Sequence, residues 1–151
     1  MATSDVERAM GRLVDEQAVV ALTIAYCWAL DTGRFEDLRD VFLPDATASL
    51  LEERAGIDSI IERISGALSP FDDSQHMVSN HQVVIDGDRA TCRCYLQAQH
   101  VRHAAEGGPN YIIAGRYEDD LERTPAGWRI SRRVLTPMWT DGNPAVVRPN
   151  G

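Results

Sequence analysis

From Arg89 to His100 the chain alternates without a slip. Ala90, Cys92, Cys94, Leu96, Ala98 and His100 fall on one parity, and Arg89, Thr91, Arg93, Tyr95, Gln97 and Gln99 on the other. A period of two places the first set on one face of a strand and the second on the other, so this strand has a dry side and a wet side. Gln75 to Ile85 reads as its hairpin partner, joined through Asp86-Gly87-Asp88. A three-residue loop there sets even positions against even ones, so that His76, Val78, Asn80, Gln82 and Val84 share the inward face with His100. A two-residue turn reverses the parity and takes His76 off that face.

The rest of the chain must supply what covers the dry side. Ser4 or Asp5 can cap a first helical stretch, and Asp15 marks a second start before an apolar run through Val20 and Ile24 to Leu30, ended by Thr32-Gly33. Phe35, Leu38, Val41 and Phe42 recur at helical spacing before Pro44, and Asp45 to Leu51 reads as a strand. Ile57, Ile60, Ile61, Ile64 and Leu68 define a third amphipathic helix. After the 75–103 hairpin come strands at Tyr111 to Glu122 and Trp128 to Thr136, turning at Thr124-Pro125-Ala126-Gly127, and an irregular tail from about residue 137. Helices first and hairpin-linked strands after indicate an α+β fold, with three N-terminal helices packed on a curved, mostly antiparallel sheet.

The 151 residues form one domain with a core large enough to need no staple. All 15 basic residues are arginine, which excludes Schiff-base and P-loop lysine chemistry. A formal charge of -8 argues against nucleic acid and anionic membranes as partners. No stretch reads as a signal peptide or as the ~18 apolar residues of a membrane span, so a cytoplasmic location is expected. Cys27, Cys92 and Cys94 read as reduced buried thiols; Cys92 and Cys94 with His100 lack the usual zinc-ligand spacing, and no metal is expected.

Asp31 ends the long helix, seven positions after Ile24 and eleven after Val20 on what reads as its inward stripe. A carboxylate there opposes the helix dipole, so it either serves a site or merely starts the turn to Gly33. His76 and His100 approach each other on adjacent strands at the open end of the sheet; His81 and His103 fall off that face. A carboxylate beside an imidazole fixes its tautomer and leaves the other nitrogen free to take a proton. With no nucleophile elbow and no dinucleotide or metalloprotease motif, the reaction classes left are proton abstraction next to a carbonyl, with elimination or isomerisation, and water activation.

Four segments carry a family resemblance: Tyr26-Cys27-Trp28-Ala29-Leu30-Asp31-Thr32-Gly33-Arg34-Phe35, Gln75-His76-Met77, Tyr95-Leu96-Gln97-Ala98-Gln99-His100 and Gly127-Trp128-Arg129-Ile130. In their order and spacing the chain resembles the SnoaL-like group of the nuclear transport factor 2-like superfamily, in the branch that holds scytalone dehydratase and the bile-acid 7α-dehydratases. The resemblance implies a cone-shaped α+β barrel and chemistry without a cofactor. It implies a base at His76 paired with Asp31, and acid or enolate-stabilising roles for His100 or Tyr26. Trp28, Val78, Asn80, Leu96 and Tyr117 would line a pocket for a small hydrophobic cyclic molecule of polyketide, steroid or terpenoid type. The chain departs from scytalone dehydratase at Leu30, at Ser49 or Leu50 and at Tyr117, so the substrate is not expected to be scytalone. Ala98 stands where the bile-acid enzymes carry an aspartate. The same fold also serves as the non-catalytic small subunit of ring-hydroxylating dioxygenases or as a ligand-binding or dimerising module, and its members commonly pair as homodimers or homotrimers through the outer sheet face. Arg116, Arg132 and Arg133 could serve a subunit contact or an anionic substrate group.

Overall fold

The protein is described by a computed structural model covering residues 3–148. Helix α1 (Thr3–Asp31) is a single element of 29 residues, where the sequence suggested a break at Asp15. Asp15 caps nothing. Its carboxylate takes two hydrogen bonds from Arg123, both 2.8 Å, and one from the Trp128 indole at 2.9 Å, and the Arg123 contact holds its carboxyl below the usual range. By length and composition α1 is apolar enough to cross a bilayer, an 18-residue window reaching a mean hydropathy of 1.4, although the sequence reading found no such stretch. A third of that window is buried.

A short 3-10 helix (Phe35–Asp40) replaces the expected second α-helix. Then come β1 (Phe42–Ser49), β2 (Glu53–Ala55), α2 (Ile57–Leu68), β3 (Asp73–Asp86), β4 (Arg89–Val101), β5 (Asn110–Thr124) and β6 (Gly127–Gly142). β6 runs six residues past the expected end at Thr136. Its register with β5 slips at Gly115, where a Cβ would stand 2.5 Å from the Thr136 carbonyl oxygen, so the backbones meet there only because the side chain is absent. A second 3-10 turn, Pro144–Val146, follows, and Pro149 lies outside the described residues.

The six strands form one bent, unclosed sheet in the order β2-β1-β6-β5-β4-β3, antiparallel except for the β1–β6 pair. Helix α1, the first 3-10 turn and α2 lie on it, which is an α+β architecture. The core between the layers takes Val19, Leu30, Leu38, Phe42, Ile60, Leu96 and Ile130. Cys27, Cys92 and Cys94 are free and buried in it. Burial pushes the first two thiols up to about 12 and the third to about 11, so they stay protonated and unreactive.

The β3–β4 hairpin corrects the expected turn. Asp86 pairs with Arg89 and Ile85 with Ala90, so the loop has two residues, Gly87 and Asp88. Beside the turn the parity is reversed: Val83 opposes Cys92 and Gln82 opposes Arg93, while Gln82 and Val84 face solvent instead of the core. The register then shifts between Ser79 and Gln82, where Asn80 sits at φ +57°. That bulge inserts one residue and turns every later side chain over. Beyond it Val78 opposes Leu96, His76 opposes Ala98 and Ser74 opposes His100. Two departures from the simple hairpin cancel, and His76 returns to the inward face. The same bulge turns His81 inward, toward α1.

Candidate active site

Three polar clasps fasten α1 to the sheet, eight residues apart. The first is Asp15 on Arg123 and Trp128. At the second, the Thr23 hydroxyl donates to the Val20 carbonyl at 2.7 Å, and its single hydrogen is then committed. The 2.8 Å contact to His81 is therefore donated by the imidazole Nε2–H. The third clasp is Asp31. One carboxylate oxygen lies 2.6 Å from His76 Nδ1, and the other accepts the His76 backbone N–H at 2.8 Å. That N–H is available because β3 is the edge strand. The side chain that orients the imidazole thus also satisfies the strand that carries it.

The core-facing residues of α1 are Val19, Thr23, Tyr26, Cys27, Ala29 and Leu30, while Ile24 is exposed. Asp31 therefore does not continue a buried stripe. It leaves the helix on the flank that overhangs the β3 edge, its side chain 18% exposed against 5% for His76. With Nδ1–H given to the carboxylate, the second nitrogen of His76 is the one free to accept a proton. Among the described residues it makes no hydrogen bond, and it is not one of the buried atoms sealed from solvent without a partner.

His100 lies beside His76, the two rings crossing edge-on at 5.6 Å. Phe71 stacks on its other side at 4.6 Å, and Ser74 Oγ is 3.1 Å from its Nδ1. Burial, with the neighbouring His76, lowers the His100 pKa to about 4, so it is neutral at physiological pH. The unfolded chain, with an ordinary imidazole, binds more protons between about pH 4 and 6.5, and stability falls as pH falls through that window. Urea denaturation at pH 7 and pH 5 is expected to show wild type losing about 2 kcal/mol more than His100→Gln. Equal losses would mean that His100 is solvated.

A groove of about 1320 Å³ crosses this region. Asp31, His76, Ile24, Trp28 and Val78 line it together with outward residues of the sheet, among them Met77, Tyr95 and Trp139. Because both parities of β3 contribute, the groove straddles the free edge of the sheet; it is not a hollow beneath the helices. Of the five expected lining residues it gathers Trp28, Val78, Asn80 and Leu96. Tyr117 is not among them. It faces Tyr26 edge-on at 5.6 Å beneath α1, and the two rings enclose the Arg133 guanidinium at 4.1 and 4.2 Å. Tyr26 is likewise apart from the groove, because the helix stays regular to Asp31 and points the two side chains in different directions. Burial raises the pKa of both phenols.

Arg133 is one of three arginines whose role the sequence left open. It is fully buried and gives two hydrogen bonds, 2.7 and 2.8 Å, to Asp119, its cross-strand neighbour. Arg116 and Arg132 face solvent, near Glu118 and Glu53. Among the described residues no group of three histidine, cysteine or acidic side chains is placed to hold a metal ion.

Fold and site together define a nuclear transport factor 2-like α+β protein with a carboxylate–imidazole couple set in an open groove. The chain belongs to the SnoaL-like domain family, whose model matches residues 11–134. It is 37% identical over 134 residues to an uncharacterized protein of Mycobacterium tuberculosis, covering 84% of this chain and 88% of that one. It is 26% identical to a Novosphingobium aromaticivorans structure named "Putative Scytalone Dehydratase", with a TM-score of 0.77 over 86% of this chain and 88% of the other. At lower identity it shares its fold with a nuclear transport factor 2-like protein from Salmonella enterica, TM-score 0.75 and 16% identical, over 83% of this chain and 92% of the other. A hexachlorocyclohexane dehydrochlorinase also has this fold, with a TM-score of 0.78 at 17% identity over 88% of this chain and 91% of that one.

Proposed function

We propose that this chain is a cofactor-independent lyase or isomerase in which His76, held by Asp31, abstracts a proton next to a carbonyl of an uncharged, hydrophobic cyclic molecule. The observation that carries the reading is the two-point grip of one carboxylate on both the ring and the backbone of His76, in the wall of a groove. A base needs a fixed tautomer and a fixed direction, and this contact supplies both. The Asp31 charge stabilises the imidazolium formed when Nε2 takes the proton, as in other carboxylate–imidazole pairs. His100 does not line the groove; neutral and packed edge-on against the His76 ring, it steadies that ring instead of donating to the substrate. Tyr26, on the far side of the Arg133 stack, serves that stack.

The lining bears on substrate charge. Asp31 and Asp73 line the groove and no arginine does, in a chain that has no lysine and a net charge of -8. A carboxylate or phosphate in this groove would meet like charge with no cation to pair it. Trp28, Met77, Tyr95 and Trp139 offer aromatic and thioether surface, and Gln75, Gln97 and Gln99 offer amides suited to hydroxyl and ketone oxygens.

Incubation in D2O with cyclic hydroxyketones and with their carboxylated counterparts tests both halves. The expected result is deuterium entering α to the carbonyl of the neutral compounds only, lost in His76→Gln. Exchange confined to the carboxylated compounds would refute the charge argument. No exchange anywhere, together with co-purification of a large iron-containing subunit, would assign the chain to the non-catalytic role.

A further inference from the structure

We propose that two copies of this chain pair through α1, antiparallel, on a two-fold axis at Gln17, and that the partner's helix walls the open side of the groove. Beyond the Asp15 clasp, residues 3–14 of α1 project from the body and are almost wholly exposed. Yet this projection is not polar all round. Val6, Met10, Leu13 and Val14 are 42–67% exposed, and on the same side further along, Ile24 and Trp28 are 42% and 67% exposed. At 100° per residue these six fall within one sector of the helix, opposite Val19, Thr23 and Leu30, and the rest of that sector, Gln17, Val20 and Ala21, is uncharged as well. A quarter of the chain is charged, but from Val6 to Trp28 this stripe carries no charge.

The stripe complements itself. Turned end for end about Gln17, its one polar residue, it sets Val6 against Trp28, Met10 against Ile24, Leu13 against Ala21 and Val14 against Val20. Trp28, the largest, meets Val6 and Leu13 meets Ala21, and Gln17 meets Gln17, whose amide can both donate and accept. A single polar residue in an apolar helix seam is a known device for fixing register. The six large side chains expose on the order of 600 Å² per copy, so a pair would bury on the order of 1,200 Å², enough for a specific interface. Trp28 and Ile24 also line the groove, so the first turns of the partner's helix lie against its wall.

Sedimentation velocity of the full chain tests this, with three variants at exposed positions that leave the core untouched. Wild type is expected at twice 16.7 kDa, and Met10→Glu with Val14→Glu at half the wild-type mass with an unchanged circular dichroism spectrum. Gln17→Cys is expected to cross-link to its own copy on oxidation, whereas Val6→Cys is not, since two copies of residue 6 would lie about 33 Å apart. A wild-type monomer overturns the proposal, and one that binds phosphatidylcholine vesicles gives the stripe to a bilayer instead. A dimer that survives both glutamates overturns it too and moves the contact to the exposed sheet face around Tyr95 and Trp139. Cross-linking at residue 6 and not at 17 overturns the register.

Discussion

Replacing His76 by glutamine is expected to slow turnover of a processed substrate by about 10² to 10⁴, the usual contribution of a positioned base. Glutamine keeps a polar side chain on the inward face of β3 but cannot take the proton. Asp31→Asn should cost nearly as much, because the imidazole loses both the charge that stabilises its protonated form and the acceptor that fixes its tautomer. Since the two side chains work as one unit, the double variant should be little worse than either single one. Single-turnover rates measured on folded protein separate this effect from binding. A His76→Gln enzyme within threefold of wild type would remove His76 from the chemistry.

The second large effect lies behind the groove. Asp119→Asn is expected to destabilise the fold by about 3 to 5 kcal/mol, because it leaves the buried Arg133 guanidinium without its countercharge. The tyrosine faces at 4.1 and 4.2 Å soften that loss but cannot replace a carboxylate. Removing both charges with Asp119→Leu and Arg133→Met should recover most of the stability, since a buried ion pair contributes little net energy over an apolar pair of similar volume. Urea denaturation of the three proteins checks this. A loss below about 1 kcal/mol for Asp119→Asn would mean that water reaches the guanidinium.

The alternation along β4 holds at every position in the structure, because a strand that is dry on one side tolerates no slip. The helix-then-strand order was legible from the periodicities, whereas the pairing of Asp31 with His76 was legible only through the family resemblance, because the three-residue turn expected to bring His76 inward is a two-residue one and a bulge restores the face instead. The Asn80–His81 bulge was not legible from hairpin parity alone. Its trace is that Val78, then Val83 and Ile85, mark the buried side on either parity, with an asparagine, a residue that tolerates positive φ, between them. The burial of Arg133 was hidden by its charge and by a second irregularity: pairing β5 with β6 across Thr124-Gly127 in simple register sets Asp119 opposite Arg132, and the register shift between Asp120 and Leu121 brings Arg133 there instead. Asp15 misled because an aspartate before an apolar run has the form of a helix cap, and only the tertiary contact with Arg123 and Trp128 explains it in mid-helix. The groove could not be placed from sequence because it depends on β3 being an edge strand, which is a property of the whole sheet.

Nitrogen-15 resonances of the imidazole rings report the Asp31–His76 contact without any substrate. In wild type at neutral pH the His76 ring should carry its hydrogen on Nδ1, show a strongly deshielded proton there, and leave Nε2 as an acceptor. Asp31→Asn should abolish that signal while the rings of His81 and His100 stay as they were. A His76 ring protonated on Nε2, or one whose spectrum is unchanged by Asp31→Asn, would contradict the proposed base.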